Sequence, residues 1–137
     1  MSRVIFASHG GLSKGMKDSV SMIVGDLAKD VETYSLLPGQ NPEDFYQEVL
    51  KEAKESEEQI VILCDIKGGS VHTALSKLAV LDNVMVFSGM NMGLVLDAVM
   101  KGLNGKLELA EANDLIEAAK DGMTVMNGMT SEDDEDF

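Results

Sequence analysis

Apolar and polar positions follow one repeating order along this chain: a short apolar run, a turn, an amphipathic stripe, then the same again. "RVIFAS" (Arg3–Ser8) is a run rich in β-formers. From Leu12 the apolar positions are Leu12, Met16, Val20, Ile23, Val24 and Leu27, spaced four, four, three, one and three apart. That spacing predicts one stripe of a helix, with Ser13 as its N-cap. "ETYSLL" (Glu32–Leu37) reads as a second strand, closed by Pro38-Gly39. Asn41-Pro42-Glu43-Asp44 joins a capping side chain, a proline at the first helical position and acids in the first turn. Phe45, Val49, Leu50 and Ala53 then form that helix's inner face. "QIVILCD" (Gln59–Asp65) carries five successive apolar residues, Ile60 to Cys64. Such a strand belongs in the middle of a sheet covered on both sides.

"IKGGS" follows, and a helix from about Gly69 turns Val71, Ala74, Leu75, Leu78 and Ala79 inward. "NVMVFSG" (Asn83–Gly89) is the fourth strand. Helices over Met92–Gly102 and about Glu111–Lys120 come next, and "MTVMNG" near the end is a candidate last strand, antiparallel at the sheet's edge. Met16, Met22, Met85 and Met100 fall in these patterns and are read as core.

Strand–helix alternation with short connections implies parallel strands joined by right-handed crossovers. The fold class is therefore α/β: an open doubly wound, mainly parallel sheet with helices on both faces. Strand order is not fixed by the pattern. In a flavodoxin-like order 2-1-3-4, the order reverses between the first and third strands, where ligands bind beyond the strands' carboxyl ends. The first strand ends at Ser8-His9-Gly10-Gly11 and the third at Asp65-Ile66-Lys67-Gly68-Gly69-Ser70. Neighbouring strands lie ~4.8 Å apart, so His9 and Asp65 would face each other.

That pairing has chemical content. A carboxylate accepting the Nδ1 proton fixes the imidazole tautomer and leaves the Nε2 lone pair free. Gly68, Gly69 and Ser70 open a helix with little side-chain bulk, and Gly10 stands with Gly11 behind His9, so backbone amides are expected to face an anion there. A nucleophilic imidazole, an orienting acid and two small-residue cradles suit a phosphoryl group landing on histidine. The plain alternative is a hydrogen-bonding histidine beside an aspartate that caps the next helix. "GGS" lacks both the dinucleotide fingerprint and the lysine-bearing phosphate loop. His72 lies near the same rim and reads as solvent-facing or capping. Met90 and Met92, after the fourth strand, are candidates for an apolar rim that meets a partner protein.

Charge narrows the partners. The net charge is −13, of which five charges lie in "SEDDED", leaving −8 on the body. Such a surface repels nucleic acid and anionic lipid and steers a basic protein toward it. Residues 1–130 are read as one domain and 131–137 as a solvated acidic tail. No run reaches the ~18 apolar residues of a membrane helix, and the chain enters its first strand without a signal peptide. The single cysteine, Cys64, excludes an internal disulfide, suits a reducing cytosol and reads as a buried thiol. Cys/His metal spacing is absent, and no cofactor is implied.

At "VIFASHGG", "ILCDIKGGS" and "GMNMG", in that order, the chain resembles the enzyme IIA component of the bacterial sugar phosphotransferase system, mannose/fructose/sorbose class. The likeness spans about residues 3–127. It implies that His9 accepts a phosphoryl group through Nε2 from the phosphocarrier protein HPr and passes it to enzyme IIB. Asp65 would orient the ring, and Ser70 with Gly68 and Gly69 would support the phosphoryl oxygens. It implies a homodimer exchanging C-terminal strands, matched here by "MTVMNG", and contact with the membrane only indirectly, through the permease. No metal is implied, because phosphohistidine brings no magnesium. Family members often carry a bulky residue where this chain has Gly11, and proline where it has Gly93. The first change leaves the site roomier and the second leaves the rim more flexible. The acidic tail, in place of an Ala/Pro-rich linker, suggests a separate subunit. Three other readings stay open: the phosphotransfer subunit of the dihydroxyacetone kinase system, a regulatory phosphohistidine module without onward transfer, and a flavin or nucleotide binder.

Overall fold

A computed structural model describes residues 2–128; the acidic tail lies outside the described residues. Four strands, β1 (Arg3–His9), β2 (Glu32–Leu36), β3 (Ile60–Cys64) and β4 (Val84–Phe87), form one parallel sheet in the order β2-β1-β3-β4. Five helices accompany them: α1 (Leu12–Val24), α2 (Pro42–Lys54), α3 (Ser70–Leu75), α4 (Met92–Leu103) and α5 (Leu109–Asp121). Tighter 3-10 turns continue α1 over Gly25–Ala28 and α3 over Ser76–Val80.

Alternation along the central strands divides the core in two. Val4 and Phe6 of β1, with Val61 and Leu63 of β3, pack on one face against α1, α4 and α5 through Met16, Val20, Val95, Val99 and Leu115. Ile5 and Ala7, with Ile60, Ile62 and Cys64, pack on the other against α2 and α3 through Val49, Ala53, Val71 and Leu75. Every residue of β3 is buried, as its unbroken apolar run requires. Each large side chain so covered contributes about 1.5–3 kcal/mol of transfer free energy.

The helix starts follow local chemistry. Asn41 accepts from the Glu43 amide at 3.0 Å ahead of Pro42, and Asn91 accepts from the Leu94 amide at 3.0 Å. Asn91 also donates to the Gly89 carbonyl at 3.1 Å, and the Met90 amide donates to the Cys64 carbonyl at 3.0 Å. The loop after β4 is thus tied down by the asparagine in "GMNMG". At α1 the expected cap is displaced. Ser13 lies inside the helix, and the hydroxyl of Ser8, at the end of β1, accepts its amide at 2.8 Å. Ser13 Oγ in turn donates to the Tyr34 carbonyl at 2.9 Å, fastening α1 to β2.

Other expected core positions lie outside it. Met16 and Val20 are buried and Val24 half-buried, while Leu12, Ile23 and Leu27 are exposed. The inward stripe runs Met16, Val20, Val24 and on to buried Ala28 in the 3-10 turn, four apart, so Ile23 and Leu27, each one position before it, fall to its side. Met22 sits two positions from Val20, off the inward stripe, and is exposed; Met100 is exposed beside buried Val99. Met85 is partly buried against the core. Ala79 is exposed because the 3-10 period after Leu75 rotates it off the stripe that Leu78 keeps. "MTVMNG" forms no strand among the described residues: it has no sheet partner within the single chain, and Met123, Val125 and Met126 are exposed.

Gly102 near the end of α4 faces the sheet with room to spare. A Cβ there would stand 3.7 Å from Val4 Cγ2 and 4.0 Å from Val61 Cγ2, ordinary contact distances. Gly102→Ala is expected to stabilise the protein by about 0.5–1 kcal/mol through lower unfolded-state entropy. Thermal denaturation checks this; a lower Tm in the variant counts against it.

Candidate functional site

The register of the two central strands builds the site. Ala7 of β1 pairs with Cys64 of β3, so both chains leave the sheet side by side at its carboxyl rim. His9 and Asp65, the expected pair, meet there. One carboxylate oxygen, Asp65 Oδ2, accepts both the His9 backbone amide and the ring Nδ1–H, each at 2.8 Å. Its other oxygen accepts the Ile66 amide at 2.9 Å. A carboxylate offers only lone pairs, so the ring proton sits on Nδ1 and Nε2 carries the free pair. The Ser70 hydroxyl, 3.0 Å away, donates to it. The His9 side chain is 49% exposed whereas that of Asp65 is 8% exposed. The base is presented and its orienting acid is enclosed.

Burial alone pushes the Asp65 carboxyl up, but the backbone amide of His9, its ring and the Ile66 amide together hold it below the usual carboxylate value of 3.8. Asp65 therefore remains an anion throughout the physiological range. Burial pushes the Cys64 thiol up to about 12, which makes it inert, as its apolar run suggested.

The glycines serve otherwise than expected. Gly10 (φ +55°) donates its amide to the Leu36 carbonyl at 2.9 Å, and Gly69 donates to the Ile66 carbonyl at 3.2 Å. Gly68 (φ +80°) donates to His72 Nδ1 at 3.1 Å. All three amides thus have acceptors within the chain. The amides of Ser70 and Val71 have no such acceptor among the described residues. Gly10 and Gly68 supply a left-handed turn, and Gly69 supplies clearance: a Cβ on it would stand 2.8 Å from Ile66 Cγ2 and 3.3 Å from His9 Cε1. His72 takes the capping role read for it, and Met90 and Met92 are half-buried against the core. Sequence reasoning missed Ser8, whose hydroxyl steadies the turn after His9 by accepting the Ser13 amide and donating to the Gly10 carbonyl at 3.3 Å. A serine two residues before a glycine turn was the available signal.

Because the folded state lowers the Asp65 pKa, this carboxylate contributes stability above the ordinary carboxylate range that is lost as pH falls through the folded value. Asp65→Asn is expected to be less stable than the parent at pH 7, and the gap to narrow below about pH 3.9. Urea unfolding at both pH values measures it; a gap independent of pH overturns this account.

Known proteins show the same arrangement of chain. Residues 3–120 match the family described as PTS system fructose IIA component. The sorbose-specific EIIA component of Klebsiella pneumoniae is 33% identical over 101 residues, 72% of this chain and 73% of that protein. The phosphotransferase system component EIIA from Streptococcus agalactiae superposes with a TM-score of 0.78 at 22% identity, covering 91% of this chain and 97% of its own. The mannose/sorbose specific IIA subunit from Enterococcus faecalis does so with a TM-score of 0.74 at 20% identity, covering 94% and 97%. The α/β fold, the matched span and the curated relative lead to one conclusion: the chain belongs to the mannose/fructose/sorbose family of phosphotransferase-system IIA components and is a component of a sugar phosphotransferase system.

Proposed function

We propose that this chain is the phosphoryl carrier of its system, taking a phosphoryl group from phospho-HPr on His9 and passing it to enzyme IIB for sugar uptake through the membrane permease. The observation that supports this reading is the Asp65–His9 pair, which leaves a basic Nε2 on a half-exposed ring at the carboxyl rim. The Nε2 lone pair attacks phosphorus in line. The donor's N–P bond breaks, and its electron pair returns to the donor imidazole. Nδ1 keeps its proton, and the charge gained by the ring faces Asp65. Ser70 Oγ, released from Nε2, turns its proton to a phosphoryl oxygen, and the Ser70 and Val71 amides serve the others. Gly10, Gly68 and Gly69 shape the space around them. The onward step repeats this chemistry with His9 as donor. Both N–P bonds are of similar energy, so the protein's task is positioning and charge neutralisation.

The same reading includes a homodimer in which residues 123–128 of each copy extend the other's sheet. The exposed Met123, Val125 and Met126 and the outer edge of β4, last in the strand order, support it. So does a groove along that edge lined by Met85, Phe87, Leu109, Ala112 and Ile116. Light scattering of the full chain is expected to give twice the monomer mass; a monomer at micromolar concentration overturns this part.

Intact mass after incubation with phosphoenolpyruvate, enzyme I and HPr tests the carrier reading. The wild type is expected to gain one acid-labile phosphoryl group, lost again on adding enzyme IIB, and His9→Ala to gain none. Asp65→Asn keeps one oxygen for the two His9 donors but loses the negative charge that faces the ring and sets an amide against the Ile66 N–H, and it is expected to slow transfer about 10²-fold or more. Phosphorylation of His9→Ala, or wild-type kinetics in Asp65→Asn, would sink the assignment.

A further inference from the structure

The glycine turn between β3 and α3 is held by a side chain that the transfer chemistry leaves unused. His72 Nδ1 accepts the Gly68 amide at 3.1 Å, and Thr73 Oγ1 donates to the Gly68 carbonyl at 3.3 Å. An imidazole nitrogen accepts only when it carries no proton, so His72 is the neutral Nε2–H tautomer. Gly68 itself is in the left-handed region at φ +80°. No side chain of its own packs to keep it there. Neighbouring Ile66 and Lys67 are exposed and offer little anchorage. Apart from the Gly69–Ile66 backbone bond and the Asp65–Ile66 contact, the turn is tied by bonds from its own helix. His72 and Ser70 share that helix, so one imidazole joins the turn to the element whose first residue carries the hydroxyl facing His9.

We propose that His72 is a positioning residue for phosphoryl transfer at His9. Its unprotonated Nδ1 fixes Gly68 and so holds Ser70 Oγ at its 3.0 Å station from His9 Nε2. The inference rests on the phosphoryl-carrier reading above. A histidine that merely completes a helix start would leave the transfer rate alone. The Gly68 amide lies at an exposed turn, where water replaces a lost acceptor, so little stability is at stake. Geometry at the reacting nitrogen is a different matter, since displacing a positioning group by about 1 Å costs up to ~10²-fold in rate.

Two variants separate the roles. His72→Phe keeps the ring's bulk and removes the acceptor, whereas His72→Asn places a carbonyl oxygen about where Nδ1 stood. Single-turnover transfer from phospho-HPr is measured as a function of donor concentration, alongside Tm and the ¹⁵N spectra of the imidazoles and of the Gly68 amide. The wild type is expected to show His72 as the Nε2–H tautomer with a hydrogen-bonded Gly68 amide. In His72→Phe the limiting rate is expected to fall about tenfold or more, with half-saturation and Tm close to wild type. His72→Asn is expected to recover most of the loss. A His72→Phe protein that transfers at the wild-type rate overturns the inference, as does an Asn variant no faster than the Phe variant, or a His72 protonated on Nδ1. A wild type that takes no phosphoryl group on His9 overturns the carrier reading itself, and the tautomer measurement still reports on the His72–Gly68 bond.

Discussion

The parallel pairing of β1 with β3 is the constraint on which the rest depends. Both strands are buried at the centre of the sheet, and a slip of β1 by one residue would turn Phe6 out of one core and into the other. Because both faces are buried, the register is held by the fit of side-chain size and shape, Phe6 and Leu63 in one core and Ile5 and Ile62 in the other. The register in turn fixes the height at which the two chains leave the sheet. Asp65 then needs no long reach: its carboxylate meets the amide and ring of His9 together. A site with no large side-chain network thus inherits its precision from two strands of apolar residues.

At the opposite end of the sheet a second fastening keeps those strands in place. Gln59, buried just before β3, accepts from Ser2 Oγ and the Leu107 amide and donates to the Leu107 carbonyl, each at 2.8 Å. Arg3 at the start of β1 is clamped between Glu32 of β2 and Glu52 of α2. These contacts tie the amino ends of β1 and β3 to the approach to α5 and to α2. Among the described residues no buried side-chain polar atom lacks a partner. The carboxyl rim can consequently be open, because rigidity is supplied from below it.

The fold was legible because its signals are hydrophobic and periodic. The five-residue run of β3, the Asn41-Pro42 start of α2 and the glycine punctuation place every strand and helix within a few residues. The His9–Asp65 pair was legible because topology alone brings two strand ends together. What escaped the sequence depended on tertiary placement or on hydrogen-bond choice. Ser8 outcompetes the position expected for the cap of α1 because β1 delivers its hydroxyl to the Ser13 amide. The glycines were read as amide donors, yet each amide had a nearer acceptor, one of them on a histidine four residues away. Ile23 and Leu27 stand one position before the Val24 and Ala28 that the inward stripe keeps, and the tightening after α3 moved Ala79 outward, since no spacing rule sees a 3-10 turn in advance.

Exposure of the reacting base accords with the chemistry assigned to it. An enzyme acting on a small molecule encloses the reacting atoms, because water competes for the transferred group and weakens each electrostatic contact. A relay between two proteins obtains that enclosure from its partner. On the carrier reading proposed above, half-exposed His9 would need only to be oriented and kept basic on Nε2 until a second imidazole arrives, and the enclosed Asp65 carboxylate would do both without blocking the approach. The body's negative charge bears on the proposed relay: the hydrogen-bonded site side chains are an acid, an imidazole and a hydroxyl, so on that reading a basic docking partner would add positive charge beside a phosphoryl group on His9. Complementary charge would then raise the encounter rate and complete the site in one event. On the proposed reading, the arrangement would favour transfer inside a complex over loss of the phosphoryl group to water outside it.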